Sequence, residues 1–342
     1  MKPLVSILIP CYNSAPWLAA TLESALEQTW ENIEVLLVDD GSTDDSLEIA
    51  KKFEPCGVKV ISQNNRGASA ARNRALQEAQ GDFIQYLDAD DLLAPDKIER
   101  QVQLLNSDRN SNYIASGAWA RFYKTPSEAL FIPQPLWVDM SPVDWLICAW
   151  EGHWMMHPAA WLVPRKIADK AGFWSENLSL NDDGEYFVRI LLSSQEVKFC
   201  KGAKSYYRSG NSNSLSGSKS RKAWESAFLA LELSSNNLLL KDDSPRTRHA
   251  CATVFQRFLY EVYPHVPYLQ QKAEAKAKEL GGSDLEPSGG LIFKLLSSFL
   301  GWKRAKYIQG FAYQYGYISL ALGWKLSRLK ENKFLIDPSE NS

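Results

Sequence analysis

The amino-acid sequence predicts an α/β protein with a mostly parallel central sheet flanked by helices. Four short, almost continuously apolar segments lie at 4–9, 33–38, 58–61 and 83–87, and such segments are typical of strands buried on both faces. Between them apolar residues recur every three or four positions, which is the period of an amphipathic helix. This alternation indicates βαβ units, and open sheets of that kind bind ligands at the carboxyl ends of their strands.

Composition narrows the class of protein. The chain has 342 residues, 45% of them hydrophobic, enough for one large or two modest domains with a full apolar core. Its net charge of −2 argues against a nucleic-acid partner, which requires an excess of Lys and Arg. Five cysteines without a CxxC pair indicate a reducing, cytoplasmic compartment. No signal peptide is expected, and no apolar run of about 18 residues predicts a membrane span.

The second half of the chain is less regular. Mixed strands and helices follow residue 108, with a clear helical pattern only at 183–194. A Ser/Gly/Asn segment at 209–219 is typical of a loop or linker, and 220–280 is again helical in pattern. The resulting division is an α/β domain at 1–210, a helical extension at 211–290 and a basic amphipathic helical tail at 291–342.

Each strand of the first half runs into a polar loop. The loops are Pro10–Asn13, Asp39–Ser42, Asn64–Gly67 and Asp88–Asp91. Because the carboxyl ends of parallel strands meet at one edge of a sheet, we expect the four loops to converge there. Carboxylates at such an edge bind sugar hydroxyls, a nucleobase N–H or a divalent cation. For the second loop, a turn with a Ser42/Asp45 capping box is an equally good explanation.

The run Asp88-Ala89-Asp90-Asp91 is harder to explain by structure alone. Three carboxylates in four residues repel one another unless a cation or ligand hydroxyls offset the charge. Oxygen ligands without a histidine favour Mg²⁺ or Mn²⁺ over zinc. The run therefore predicts a site for one of these cations.

A third acidic group, Asn181-Asp182-Asp183-Gly184-Glu185, opens the helical pattern of 183–194. Acidic residues stabilise a helix start through the macrodipole, so capping is one explanation. The other is a general base, since a hydroxyl nucleophile needs a positioned carboxylate to take its proton.

Together, the motifs PCYN, VDDGSTDDS, NRGASAARN, LDADD and NDDGEYF resemble those of the inverting, nucleotide-sugar-dependent family 2 glycosyltransferases. The resemblance covers residues 3–210 and implies a Rossmann-like GT-A fold. It also implies transfer of a sugar from a nucleoside-diphosphate sugar to a hydroxyl acceptor, with inversion at the anomeric carbon. The favoured donor is a UDP-sugar. The implied acceptor is a glycan, a glycolipid or a cell-envelope polysaccharide precursor, and the implied cofactor is Mn²⁺ or Mg²⁺.

The resemblance also implies a donor site built from the four loops. By this likeness Asp39 accepts a nucleobase N–H, and Asp90 ligates the cation on the diphosphate. Asp88 holds the ribose and the metal region, which makes it the second metal candidate. The other implied donor contacts are nucleobase packing by Pro10, Tyr12 and Asn13, and closure over base and phosphate by Gly67 and Arg72.

In that family the base is the aspartate of a Glu-Asp pair, whereas this chain has Asp182-Asp183. Asp183 is the better match and Asp182 the alternative. Two adjacent carboxylates raise the pKa of one of them, which suits a base that must accept a proton. Arg208 is expected to add positive charge over the diphosphate, with the Ser/Gly stretch after it as a lid hinge. An arginine at the end of an edge strand is the alternative for this position.

Aromatic residues crowd the stretch before the predicted base. Because aromatic rings stack on the apolar faces of sugars, we expect an acceptor wall here, with core packing as the alternative. The two histidines are interpreted as structural or acceptor-binding rather than as metal ligands. The cluster consists of Trp145, Trp150, His153, Trp154, Met155, Met156 and His157.

The tail is basic. Residues 291–334 hold eight Lys or Arg against one acid, Glu331, a net charge of +7. Basic and apolar residues mixed in this way suit an anionic membrane surface, and a helical hairpin packed on the rest of the protein is the alternative. The predicted location is the cytoplasm, and peripheral attachment to the inner face of the cell membrane is the alternative.

Two other functions would share part of this sequence pattern. A catalytically inactive nucleotide-sugar-binding or scaffold protein of the same fold would lack the metal or base carboxylates, and this chain has both. A dinucleotide-dependent oxidoreductase would carry GxGxxG in its first βα turn, where this chain has PCYNSAPW.

Overall fold

A computed structural model of the protein describes residues 2–106, 112–210 and 220–314, with side chains described as far as residue 310. The chain divides into two compact units, Met1–Val254 and Phe255–Ser342, and the division falls inside one helix. The predicted domain limits at 210 and 290 follow composition rather than compactness, and they stay predictions.

The described residues of the first unit form two sheets. The strands are β1 (Val5–Cys11), β2 (Ile33–Asp39), β3 (Val58–Ser62), β4 (Phe83–Tyr86), β5 (Leu92–Leu93), β6 (Tyr113–Phe122), β7 (Val163–Pro164) and β8 (Glu196–Arg208). Five of them form a sheet in the order β3-β2-β1-β4-β7, parallel except for β7. The other three form a sheet in the order β5-β8-β6. The four predicted strands are β1 to β4, which confirms the α/β class and the mostly parallel sheet.

Helices follow the strands of the first unit and make up most of the rest of the described chain. They are α1 (Ala15–Leu26), α2 (Ser46–Lys52), α3 (Ala68–Glu78), α4 (Lys97–Asn106), α5 (Pro142–Gly152), α6 (Arg165–Ala171), α7 (Asp182–Ser193), α8 (Arg221–Lys241), α9 (Pro245–Val262), α10 (Pro267–Glu279), α11 (Leu291–Leu300) and α12 (Trp302–Gln314). Helix α7 is the one predicted at 183–194, and α8 to α10 account for the helical pattern at 220–280. Among the described residues, no helix is long and apolar enough to cross a bilayer.

Burial follows the pleat of β1. Val5, Ile7 and Ile9 face one side and belong to a core cluster that includes Leu18 and Leu22 of α1. Side chains on the other side are buried as well, as expected for a strand covered on both faces. The carboxyl ends of β1 and β2 lie side by side, because the register pairs Cys11 with Asp39.

A second, aromatic cluster fixes α7 against β4. Trp174 stacks on Tyr186 with ring centroids 4.1 Å apart, and Tyr86 meets both rings edge-on. The hydroxyls of Tyr86 and Tyr186 lie 3.0 Å apart in a hydrogen bond. Edge-to-face and offset contacts of this kind contribute beyond their buried area, so the start of α7 is held close to the end of β4.

Candidate functional site

Arg72 joins two of the acidic loops. This side chain lies on α3 and is almost completely buried. Its Nη2 donates to Asp88 Oδ1 at 2.8 Å and its Nη1 to Asp182 Oδ2 at 2.9 Å. Burial opposes the charge, but Asp88 and Asp182 outweigh it and raise the pKa of Arg72 above its ordinary value. The guanidinium also lies 4.4 Å from the centroid of the Trp174 ring.

The structure gives Arg72 different partners from those implied by the resemblance. Its guanidinium binds carboxylates of the protein and connects the loop after β4 to the start of α7. Its predicted contact with a base and phosphate stays a prediction. Because Asp88 and Asp182 bind the same guanidinium, the loop after β4 and the start of α7 lie in one site.

The acidic loop after β4 is a tight turn held from several sides. Asp91 N donates to Asp88 O at 3.0 Å, and Thr21 Oγ1 donates to the carbonyls of Ala89 and Asp91, both at 3.0 Å. Burial, followed by the charges of Asp91 and Asp88, raises the pKa of Asp90 to about 7. Burial and the two neighbouring carboxylates thus disfavour the charged form of Asp90.

A divalent cation fits this turn if a bound ligand completes its coordination. Asp88 and Asp90 offer carboxylate oxygens from one turn, which is the ligand type that Mg²⁺ and Mn²⁺ prefer. The described part of the chain holds no group of three or more His, Cys, Asp or Glu placed to hold a metal. With two carboxylates from the protein, the remaining ligands of such a cation would come from a bound molecule or from water.

Arg208 lies beside the same turn. Its backbone N donates to Asp91 Oδ1 at 2.8 Å and its Nε to Asp90 O at 2.9 Å. The edge-strand alternative is wrong, because Arg208 ends β8, the middle strand of its sheet. Of the hinge predicted after it, residues 211–219 lie outside the described residues.

The two adjacent carboxylates at the start of α7 differ in environment. Asp182 is committed to Arg72 and also accepts from Ser69 Oγ at 2.9 Å. Burial and then the neighbouring Asp182 raise the pKa of Asp183 to about 6, and its Oδ1 accepts from the backbone N of Gly184 at 2.8 Å. Asp183 is thus the better proton acceptor of the pair near neutral pH.

The carboxyl end of β2 carries a buried acceptor without a partner. Asp39 is 1% exposed, and its Oδ1 has no hydrogen-bond partner among the described residues. A buried acceptor in that state costs free energy unless a ligand donates to it. This matches the predicted role of Asp39 toward a nucleobase N–H.

Near Asp39, hydrogen bonds connect the loop after β1 to the loop after β2. The side chain of Asn13 accepts from Thr43 N at 2.8 Å, and Asn13 N donates to Ser42 Oγ at 3.0 Å. The Ser42/Asp45 capping box is wrong, because α2 begins at Ser46 with Asp45 as its N-cap and no side-chain cap bond. Near these loops Tyr12 is half exposed and Pro10 is partly buried at the end of β1.

Gly67 precedes α3 and has φ +94, which favours glycine. Its N donates to Asp40 Oδ2 at 2.7 Å, and Asp40 Oδ1 accepts from Arg66 N at 2.9 Å and Gln63 Nε2 at 2.7 Å. Asp40 therefore shapes the loop that contains Gly67. Asp40 is not among the site residues predicted from the sequence, and the doubled aspartate after β2 is the sequence signal for it.

The predicted acceptor wall separates into interior and exposed members. Trp145 is buried against Trp161, and His157 is buried at 2% exposure. Trp154 and Met155 are partly exposed, at 39% and 38%. Burial therefore leaves Trp145 and His157 out of reach of an acceptor, whereas Trp154 and Met155 keep exposed surface.

Comparison with known proteins identifies the family. The model of "Glycosyl transferase family 2" matches residues 6–129. Glycosyltransferase GlyG of Streptococcus pneumoniae serotype 4 is 31% identical over 222 residues, which cover 61% of this chain and 71% of GlyG. The chain belongs to glycosyl transferase family 2.

Other curated relatives of this family 2 chain are matched over a smaller share. An uncharacterized glycosyltransferase of Haemophilus influenzae is 43% identical over 106 residues, 30% of this chain and 42% of the relative. One of Rickettsia felis is 30% identical over 192 residues, 55% of this chain and 31% of the relative. This chain thus spans less than half of either relative.

Solved structures confirm the GT-A fold. S. aureus TarS 1–349 has a TM-score of 0.62 at 19% identity, covering 82% of this chain and 81% of TarS 1–349. The same protein in complex with UDP-GlcNAc has a TM-score of 0.58 at 17% identity, with 82% and 90% covered. At these identities the likeness shows the fold of the family 2 chain and leaves its ligands to be argued from its own residues.

We expect Asp183→Asn to raise the melting temperature at pH 7.5. A carboxyl whose pKa is raised in the fold stabilises it only while protonated, and that stabilisation is lost as pH rises through about 6. The amide imitates the protonated state at every pH. The advantage of Asp183→Asn should therefore shrink as pH falls below about 6, as measured by differential scanning calorimetry.

Glu23→Gln, an exposed change on α1, is the control and should show little difference at any pH. An Asp183→Asn advantage that stayed constant from pH 4.5 to 8 would contradict the raised pKa of Asp183.

Proposed function

We propose that this family 2 member transfers a sugar from a nucleoside-diphosphate sugar to a hydroxyl of a glycan or lipid-linked acceptor. The favoured donor is a UDP-sugar. The observation that carries the proposal is the double ion pair of Arg72, which brings Asp88 of the donor side and Asp182 of the base side together. Structural neighbours of the same fold are described in complex with UDP and with UDP-GlcNAc, which supports a uridine nucleotide as donor.

The donor is proposed to bind across the carboxyl ends of β1, β2 and β4. Asp39 Oδ1 accepts an N–H of the base, and Tyr12 offers an exposed ring at the neighbouring loop. Arg208 lies beside the acidic turn after β4, where its Nε donates to Asp90 O. Its positive charge is proposed to face the diphosphate of the donor. Asp88 and Asp90 would hold the Mn²⁺ or Mg²⁺.

Asp183 is proposed as the general base. Its raised pKa of about 6 leaves it ionised at neutral pH and still basic enough to take the proton of an acceptor hydroxyl. The oxygen then attacks the anomeric carbon from the side opposite the diphosphate, so one displacement gives inversion. A bound cation supplies stabilisation of the negative charge that develops on the leaving diphosphate.

The inactive scaffold of the same fold remains the alternative function. It requires that one of the two acidic groups be missing or be fully neutralised by neighbours. Asp182 is paired with Arg72, which also pairs with Asp88, but Asp183 and Asp90 are carboxylates that burial and like charges leave with raised pKa values of about 6 and about 7. Groups in that state are typical of functional sites, which favours the enzyme.

If Asp183 is the base, Asp183→Asn should bind UDP as the parent does and lose at least ~100-fold in kcat, the usual contribution of a general base. Steady-state kinetics with a UDP-sugar and titration calorimetry with UDP measure the two effects. In the parent, kcat should rise with pH through about 6 as Asp183 loses its proton.

Asp182→Asn is the matched control on the neighbouring residue. It should lower thermal stability by breaking the pair with Arg72, and reduce kcat less than Asp183→Asn. A larger kcat loss in Asp182→Asn would move the base to that residue. Retention of anomeric configuration in the product would exclude the single displacement.

If Asp90 binds the cation, Asp90→Ala should remove the Mn²⁺-dependent part of UDP binding and sugar transfer while the melting temperature stays near that of the parent. UDP titrations with and without Mn²⁺ provide the measurement. Full Mn²⁺-dependent affinity in this variant would show that the acidic turn is structural.

The tail is proposed to attach the protein to the inner face of the cell membrane. Helix α11 exposes apolar side chains on one side and carries Lys294. Exposed apolar residues next to basic ones suit an anionic lipid surface, where each Lys or Arg contributes about 1 kcal/mol. The exposed members are Leu291, Ile292, Leu295 and Phe299.

Full-length protein should therefore sediment with phosphatidylglycerol vesicles at low salt and be released as salt increases. Phe299→Glu should reduce this binding, and truncation near Gly290 should abolish it without loss of UDP binding. Leu240→Glu is the control, because Leu240 on α8 is equally exposed, at 87% against 84% for Phe299.

Full-length protein that does not sediment with anionic vesicles at low salt would contradict membrane attachment. A large fall in melting temperature for Phe299→Glu would instead support a hairpin packed on protein.

A further inference from the structure

Three polar side chains form a hydrogen-bonded chain beneath the acidic turn. His157 Nδ1 lies 2.9 Å from Asp91 Oδ2, and its Nε2 lies 2.8 Å from Ser205 Oγ. His157 is 2% exposed, Asp91 1% and Ser205 0%. They come from separate parts of the fold: the segment before a short 3-10 turn at Pro158–Ala160, the acidic turn, and β8.

The order Ser-His-Asp is that of a nucleophilic triad, but burial excludes this function. No substrate reaches a hydroxyl that is 0% exposed, and the serine lies within a strand rather than at a cleft. Burial lowers the pKa of His157 to about 3, so its ring is neutral. A neutral imidazole has one donor and one acceptor nitrogen, which match one carboxyl and one hydroxyl.

The chain continues from Asp91 to the surface of the site. Asp91 Oδ1 accepts from the backbone N of Arg208 at 2.8 Å, and Arg208 Nε donates to Asp90 O at 2.9 Å. His157 is therefore connected through Asp91 to Arg208 and Asp90, the two residues that the donor diphosphate and its cation are proposed to meet.

The backbone of the acidic turn has a separate support. Thr21 Oγ1 holds the carbonyls of Ala89 and Asp91 from α1. His157 holds the side chain of Asp91 instead. The path of the turn and the orientation of the Asp91 carboxyl thus depend on different contacts, and the Asp91 carboxyl accepts from the backbone N of Arg208.

We propose that His157 is a positioning residue, which orients the Asp91 carboxyl and thereby sets Arg208 and Asp90 for the donor diphosphate. The proposal rests on the proposed function for the identity of the donor. It assigns His157 no contact with substrate, since three intervening hydrogen bonds separate its ring from Asp90. Partners of this kind behind a ligand typically change metal affinity or activity by about 10- to 100-fold when removed.

Two substitutions of His157 separate its two hydrogen bonds. An asparagine amide reaches about as far as Nδ1, so His157→Asn keeps the bond to Asp91 and loses the one to Ser205. A glutamine amide reaches about as far as Nε2, so His157→Gln keeps the bond to Ser205 and loses the one to Asp91. Ser205→Ala removes the second bond while leaving the imidazole in place.

The probe is UDP with Mn²⁺, titrated by calorimetry, with the melting temperature measured for each variant. We expect His157→Gln to weaken UDP binding by about tenfold or more, and His157→Asn and Ser205→Ala to stay within about threefold of the parent. The amide resonance of Arg208, followed by NMR without nucleotide, should move in His157→Gln and keep its position in His157→Asn.

Equal losses of UDP affinity in His157→Asn and His157→Gln, with an equal fall in melting temperature, would show that His157 only packs and would overturn the proposal. Unchanged UDP affinity and an unchanged Arg208 resonance in His157→Gln would overturn it as well. A parent protein that binds no UDP would overturn the proposed function, while the Arg208 resonance would still decide whether His157 sets that residue.

Discussion

The buried guanidinium of Arg72 is the interaction on which the arrangement of the site depends. Removing a cation from water costs several kcal/mol, and here two carboxylates and the face of Trp174 offset that cost. Each partner is also held in place by the cation, since a lone buried charge on either side would be unfavourable. One residue of α3 therefore fixes the distance between the turn after β4 and the start of α7.

Aromatic packing supplies the rigidity that this ion pair needs. Tyr86 at the end of β4, Trp174 and Tyr186 of α7 pack against one another, and the hydroxyl pair joins strand to helix. Packed cores resist small displacements, because filling or emptying even a methylene volume costs free energy. The position of Asp183, three residues before Tyr186, follows from this packing as much as from its own contacts.

The same physical cause gives two carboxylates different chemistry. Burial and like charge raise the pKa of both Asp90 and Asp183. Asp90 lies in a turn with two further carboxylates, where a cation would relieve the repulsion. Asp183 lies beside a carboxylate already paired with Arg72, where the remaining imbalance favours accepting a proton. The environment of each group, rather than its residue type, separates the proposed metal ligand from the proposed base.

The sequence was enough to predict the four parallel strands, the polar loops at their ends and the start of α7, because continuous apolar runs and helical periods are local signals. It did not determine the sheet of β5, β8 and β6, the engagement of Arg72 by two carboxylates, or the burial of His157 against Asp91. These contacts join residues far apart along the chain; Arg72 and Asp182, for example, are 110 positions apart. A local sequence pattern indicates which face of a helix or strand is buried. Which residues contact that face depends on how the whole chain packs.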